Sequence, residues 1–228
     1  MTEASAVTDF YGRWAGLYDL LATRTPGIHG VRERTVDALS LAPGDTVVEV
    51  GCGTGANFPY LRERVGESGR VVGVDLTPGM LARADDRIGR AGWGNVHALR
   101  GDATQPPVTR ADAVLGTFVV GMVEDPAAAV ERWADVVGPG GIIALLDAGP
   151  RGRSSPLDAA FRLFVAASAP PTTRLRYEEP PARRLGERVA SAREALRSRG
   201  APVVDERFGR GFLRLTACRI TGPGDGVE

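Results

Sequence analysis

The stretch VVEVGCGTGANF, residues 47–58, runs from an apolar, β-branched segment into a glycine-rich turn and out into a helical pattern. Glycine is needed where a backbone turns sharply, and where a ligand comes so close that no side chain fits. The helix expected to begin near Ala56 presents unpaired N–H groups at its start. A strand, a glycine turn and a helix in that order describe the nucleotide-binding corner of an α/β sheet.

The spacing narrows the ligand. Gly51-Cys52-Gly53-Thr54-Gly55 reads GxGxG, whereas the dinucleotide fingerprint is GxGxxG. Glu49 stands two residues before the first glycine. A carboxylate there suits a pyrophosphate poorly and a ligand with an ammonium and a sulfonium well, which favours S-adenosylmethionine over NAD. Around the loop the candidate cofactor contacts are Glu49, Gly51, Cys52, Gly53, Gly55 and Asn57.

Downstream acids extend the site. Asp75 closes the next apolar run, 20 residues beyond Gly55, where a carboxylate can accept hydrogen bonds from both ribose hydroxyls. Its alternative role is to cap the turn into the helix after Thr77. Leu76 and Met80 would supply apolar contact to the adenine. In Gly101-Asp102-Ala103, Asp102 can accept the adenine exocyclic amine, with Ala103 beside it; the alternative is an ordinary turn aspartate. Thr117 and Phe118 complete the set, at the carboxyl edge where open α/β sheets bind ligands.

Working outward, β-rich runs at 46–51, 70–75, 96–100, 112–117 and 142–147 alternate with helical patterns, as in a parallel sheet with crossover helices. Residues 202–208 and 212–219 read as a closing hairpin around Gly209 and Gly211. Thr77-Pro78 and Asp125-Pro126 pair a capping side chain with a proline at the first helical position. Gly138-Pro139-Gly140-Gly141 ends the second of these helices. Residues 10–21 and 31–39 have helical periodicity and would cover the cofactor, and an arginine-rich amphipathic helix is expected over 185–199.

VVEVGCGTG, VVGVDLTPGML, GDA, DAVLGTF and VGPGGIIALLD, in that order, resemble the class I S-adenosylmethionine-dependent methyltransferases. The likeness covers roughly residues 10–150. It implies an α/β, Rossmann-like, seven-stranded and mostly parallel sheet with helices on both faces and an antiparallel last strand. It also implies S-adenosylmethionine as cofactor and S-adenosylhomocysteine as product. The segment YGRWAGLYDLL, residues 11–21, is similar to the N-terminal segment of quinone-biosynthesis methyltransferases and of bacterial phosphatidylethanolamine N-methyltransferases. By that likeness Tyr11 and Tyr18 would fold over the methionine end of the cofactor; alternatively they are aromatic residues on a helix's apolar face.

The expected organisation is a flexible N-terminus (1–9), one methyltransferase domain (10–221) and a flexible tail (222–228). Within the domain, 10–40 holds the cofactor-covering helices and 151–184 a substrate lid. The lid stretch PLDAAFRLFVAASAPP, 156–171, is apolar and ringed by arginines. It suits a greasy acceptor, a bilayer surface, or simple packing on the sheet. A methyl acceptor of quinone-precursor or aminophospholipid type is favoured, with peripheral membrane contact. The alternatives are a small polar metabolite as acceptor, or a non-catalytic protein that binds the cofactor.

Composition agrees. The net charge is zero, the chain has no Lys, and an excess of six acids over residues 1–150 balances an excess of six arginines over 151–228. That basic third can attract an anionic substrate, or be a set of solvated helix faces. Two cysteines cannot build a disulfide framework, so a reduced, cytoplasmic setting is expected. The polar N-terminus reads as no leader, and no apolar run approaches the ~18 residues of a spanning helix. The Asn/Asp-Pro-Pro-Tyr motif of amino-methylating enzymes is absent, and no nucleic-acid partner is expected. No metal site is assigned. Nor is a catalytic base, since displacement at a sulfonium needs mainly alignment; His29 could approach substrate, His97 reads as structural, and Asp147, at the carboxyl end of the fifth strand, is better placed or simply caps the loop after it.

Overall fold

The structure is a computed structural model that describes residues 27–148 and 181–222. In chain order these form α1 (Ile28–Asp37), β1 (Thr46–Val50), α2 (Phe58–Val65), β2 (Arg70–Asp75), α3 (Pro78–Ala91) and β3 (Val96–Arg100). Then come β4 (Ala113–Thr117), α4 (Pro126–Val137), β5 (Ile142–Ala148), α5 (Pro181–Arg199), β6 (Gly200–Phe208) and β7 (Leu213–Ile220). Tyr11, Tyr18, the 10–21 helix, most of the 151–184 segment and the tail from 223 lie outside the described residues. Residues 181–184, expected to end the lid, already belong to the first turn of α5.

All seven strands form one sheet in the order β3-β2-β1-β4-β5-β7-β6. The neighbours from β3 to β5 pair in parallel, and β7 runs antiparallel to both β5 and β6. The expected fold class is therefore observed, and the closing hairpin sits where it was expected, with β6 at the sheet's edge. A 3-10 turn over Gly209–Gly211 joins its two strands.

Strands covered on both faces must be apolar on both, which explains the unbroken Val/Ile/Leu runs. Val48, Val50, Val72, Val74, Ile143 and Leu145 point to the face packed by α4 and α5, including Trp133, Ala192 and Leu196. Val47, Val71, Ala113, Leu115, Ala144 and Leu146 point to the other, against Val36, Phe58, Leu61 and Leu81 of α1–α3.

The helix starts differ from expectation in two places. After the glycine loop, helix begins at Phe58, with residues 53–57 in turns. Gly53 and Gly55 have φ of 53° and 69°, a left-handed backbone that no α-helix contains. At Thr77 the expected hydroxyl cap is not made. The Thr77 amide instead donates to Asp75 Oδ1 at 2.8 Å. Asp125, by contrast, caps α4 as expected, its carboxylate accepting from Ala128 N at 3.0 Å.

Arginines of the basic C-terminal third tie elements together. Arg199 of α5 pairs with Glu131 and Asp135 of α4, while Arg197 and Arg214 share Asp205 of β6. Arg34 of α1 meets Glu206 of β6, its Nε lying 3.0 Å from both carboxylate oxygens. Exposed pairs of this kind each contribute little, about 0–1 kcal/mol. Among the described residues no helix is long and apolar enough to cross a membrane.

Trp133 is fully buried in α4, and its indole N–H donates to Ala103 O at 2.8 Å, anchoring the loop after β3. Trp133→Ala is expected to cost about 3–5 kcal/mol. Trp133→Phe, which keeps most of the volume and loses the hydrogen bond, should cost about 1–2 kcal/mol. Chemical denaturation of both variants checks the order.

Candidate functional site

The strand order reverses between β1 and β4, so loops leaving their carboxyl ends diverge and open a crevice. The glycine loop leaves β1 there, and Thr117-Phe118 leaves β4. Gly51 N and Cys52 N both donate to Val74 O, at 2.8 and 3.1 Å, which pins the loop against β2. Arg87 of α3 donates to Thr54 O at 3.1 Å and holds its far side.

Two glycines do different work. Gly51 has φ +67°, and a Cβ there would lie 2.6 Å from Val119 Cγ2, so the loop's approach to the β4 edge excludes any side chain. Gly53 has φ +53°, and its Cβ would meet nothing within 4 Å. That open space is a cradle in which a ligand can reach the backbone directly.

Beneath the loop, four polar side chains converge. Glu49 is 1% exposed. Its Oε1 accepts from Asn57 Nδ2 at 2.5 Å and from Thr117 Oγ1 at 3.4 Å. The Asn57 amide also donates to Thr117 Oγ1 at 3.2 Å, and its Oδ1 accepts from Arg32 of α1. Asn57 occupies the N-cap position of α2, where an asparagine ordinarily caps its own helix; here the side chain makes no cap bond and turns into this cluster. Burial pushes the Glu49 carboxyl up to about 7, against the opposing pull of Asn57, Arg32 and Thr117. Its second oxygen, Oε2, is buried with no hydrogen-bond partner among the described residues. A buried carboxylate oxygen without a donor is costly, and a cationic donor satisfies it best.

Asp75 spans the loop and the next turn. Oδ2 accepts from Gly53 N at 2.9 Å, and Oδ1 accepts from Thr77 N. The turn-capping role is thus made, and the carboxylate is held with a lone pair left on each oxygen. Leu76 beside it is 50% exposed, whereas Met80 is buried. Asp102 accepts from Thr104 N at 2.8 Å, closing a local turn at the end of β3, with Ala103 next to it. Cys52 is buried, and desolvation holds its thiol well above its ordinary range.

Phe118 has φ +58°. A bulky side chain in the left-handed region is strained, and such strain gathers at ligand sites. Its amide donates to Leu146 O at 2.8 Å, which holds the turn. Asp147 follows the parity of Ile143 and Leu145, so it lies on the sheet face away from Glu49. It is 3% exposed there, 3.8 Å from Arg193 of α5, with its carboxyl pushed up to about 7 by burial. His29 meets Tyr60 at 2.5 Å on the surface, and His97 is exposed at the start of β3.

The residue missed by sequence reasoning is Arg32, 5% exposed at the centre of the cluster. A signal existed. Arg32 precedes Thr35, Val36 and Leu39 with the spacing of a buried helix stripe, so it is a charge at a core position.

Residues 47–141 match the family model described as a methyltransferase domain. The chain is 33% identical over 142 residues to aklanonic acid methyltransferase DauC of Streptomyces sp. (strain C5), covering 60% of this chain and 63% of the relative. It is 34% identical over 148 residues to the phosphatidylethanolamine N-methyltransferase of Cereibacter sphaeroides, covering 64% and 69%. It is 36% identical over 152 residues to the 2-phytyl-1,4-naphtoquinone methyltransferase of Thermosynechococcus vestitus (strain NIES-2133 / IAM M-273 / BP-1), covering 64% and 65%. The chain thus spans less than two thirds of the length of two of these relatives. A SAM-dependent methyltransferase from Aquifex aeolicus has a similar fold, with TM-score 0.59 and 20% identity over 83% of this chain and 89% of that one.

A carboxyl whose pKa is raised by folding holds its proton more tightly in the folded state, so stability falls as it charges between pH 4.5 and about 7. Glu49→Gln removes that loss. Its stability relative to the wild type should therefore grow across this window and level off above it, as read from denaturation midpoints in a pH series without ligand.

Proposed function

The chain belongs to the class I S-adenosylmethionine-dependent methyltransferase family, and from that premise we propose that it transfers the cofactor's methyl group to a small or lipid-soluble acceptor. The observation that carries the reading is the buried Oε2 of Glu49, which has no donor among the described residues, beside an open glycine cradle. An ammonium is the complement to that oxygen. A pyrophosphate is not. Asp75, braced through Gly53 N and Thr77 N, is suited to the ribose hydroxyls, and exposed Leu76 to the adenine face. Asp102 and Ala103 would border the adenine edge; Thr117, Phe118 and the N-terminal Tyr11 and Tyr18 would border the methionine end.

S-Adenosylmethionine supplies an activated methyl group on a sulfonium. The protein's share is then to fix the acceptor in line with that group and to keep water out, which in favourable cases is worth several kcal/mol. The rigid loop, the pinned Phe118 turn and the Glu49 cluster serve alignment. No side chain is assigned as base: the thioether leaving group needs no acid, and a base matters only where the acceptor must lose its proton in the transfer step.

For the acceptor we favour a quinone precursor or an aminophospholipid. Support comes from the N-terminal segment YGRWAGLYDLL, from the apolar 156–171 segment and from two relatives named for such acceptors. The 151–184 segment would form the acceptor's cover within a single domain spanning 10–221, at a membrane's surface and on the cytoplasmic side.

Titration calorimetry with S-adenosylhomocysteine tests the cofactor reading. The wild type should bind, and Asp75→Ala should lose about ten-fold or more in affinity through the ribose hydrogen bonds. Undiminished binding by Asp75→Ala would count against the assigned site. For the acceptor, incubation with methyl-labelled cofactor should put label into extracted membrane lipids and quinones; label appearing only in the soluble metabolite pool would replace the lipid reading with a polar one.

A further inference from the structure

Arg32 has no part in the reading above, yet among the described residues it is the cation in the cluster beneath the glycine loop. It sits 5% exposed on α1, outside the stretch of strands and loops that builds the site, and it reaches Asn57 across the helix–sheet interface. A buried guanidinium is retained only where its charge is matched, because desolvating it costs several kcal/mol. Among the described residues it is linked to the acid Glu49 through the amide of Asn57.

The amide is polarised in one sense only. Arg32 donates to Asn57 Oδ1, which leaves Asn57 Nδ2 to donate to Glu49 Oε1 and Thr117 Oγ1. Since a guanidinium cannot accept, the amide cannot flip without setting donor against donor. Both donations from Asn57 and Thr117 fall on the same oxygen, Oε1. Among the described residues Oε2 is thereby left with no donor. The chain Arg32–Asn57–Glu49 thus prepares a single carboxylate oxygen of fixed direction.

We propose that Arg32 is a positioning residue for the cofactor's ammonium, acting through Asn57 to hold Glu49 with Oε2 turned to the ligand. This rests on the methyltransferase reading above and deepens it: α1, and not only the glycine loop, determines how the methionine end of the cofactor is gripped. Among the described residues the groups that face Glu49 are Arg32 from α1, Asp75 from the end of β2 and the Cys52 thiol from the loop; α2 and β4 present the neutral Asn57 and Thr117. Arg32 is the cation of that set.

The test is titration calorimetry on the full chain with three probes, comparing wild type, Arg32→Met and Arg32→Lys. S-Adenosylhomocysteine carries the ammonium and carboxylate, its decarboxylated analogue carries the ammonium alone, and 5′-methylthioadenosine carries neither. Arg32→Met should lose about ten-fold or more in affinity for the first two, the scale of one charge-assisted hydrogen bond, and keep its affinity for the third. Arg32→Lys, which retains a charge and a donor, should lose less. It also carries the comparison if Arg32→Met does not fold. The wild type's affinity for S-adenosylhomocysteine should rise with pH as Glu49 charges, and in Arg32→Met that midpoint should move upward because the cation favouring the charged form is gone.

An equal loss for all three probes, with no movement of the midpoint, would mean a merely structural role and overturn the proposal. A loss confined to S-adenosylhomocysteine would mean that Arg32 grips the carboxylate, and would overturn it too. A wild type that binds none of the three defeats the cofactor reading itself, and this proposal with it.

Discussion

A carboxylate in a central strand, covered by helices on one face and sheet neighbours on both sides, must find donors or stay protonated. Glu49 is that carboxylate, and the architecture around it follows from the need to accommodate it. Asn57 gives up capping α2 to reach it, Thr117 at the end of β4 turns a hydroxyl toward it, and α1 brings Arg32 to the far side of Asn57. Arg32 and Thr117 lie 25 and 60 residues from Asn57 in the chain. Only the parallel sheet, with the carboxyl ends of β1 and β4 side by side, lets them meet.

The glycine loop and the carboxylate are two halves of one arrangement. The loop passes close to Val119, which forbids a side chain at Gly51, and its amides are fastened to Val74 O and Asp75. Loop backbone and buried acid are therefore rigidly related across a few residues. A ligand entering this corner finds an oriented acceptor below and an open backbone surface at Gly53. Rigidity of this sort is prepared during folding, so little reorganisation is left for binding.

Much of this was legible in the sequence because the informative residues are local. The GxGxG spacing, the continuous apolar runs and the Asp125-Pro126 start each act through neighbours a few residues away, and strand positions came out within a residue or two. What was not legible is long-range. Thr77 has the residue type and position of a cap, but the Met80 amide that its hydroxyl would hold bonds the Thr77 carbonyl instead. Position 118 carries no glycine to announce the left-handed backbone found there. The helical spacing of Arg32 with Thr35, Val36 and Leu39 marks a core position, but its bond to Asn57, 25 residues onward, is visible only once the chain is folded. Asp147 lies at the right edge of the sheet, yet strand parity sends it to the opposite face from Glu49.

The position of β7 has a consequence for how the chain is made. It follows β6 in sequence and lies between β5 and β6 in the sheet. As the polypeptide leaves the ribosome N-terminus first, β6 therefore emerges with no strand to dock on. The edge of β5, with Ile143 and Leu145 along it, stays unpaired until β7 arrives. An unpaired apolar edge is a template for association between chains. On this topology the first five strands can pair among themselves with one border left unfinished, and until β7 closes it that border is where a chaperone would have most to protect.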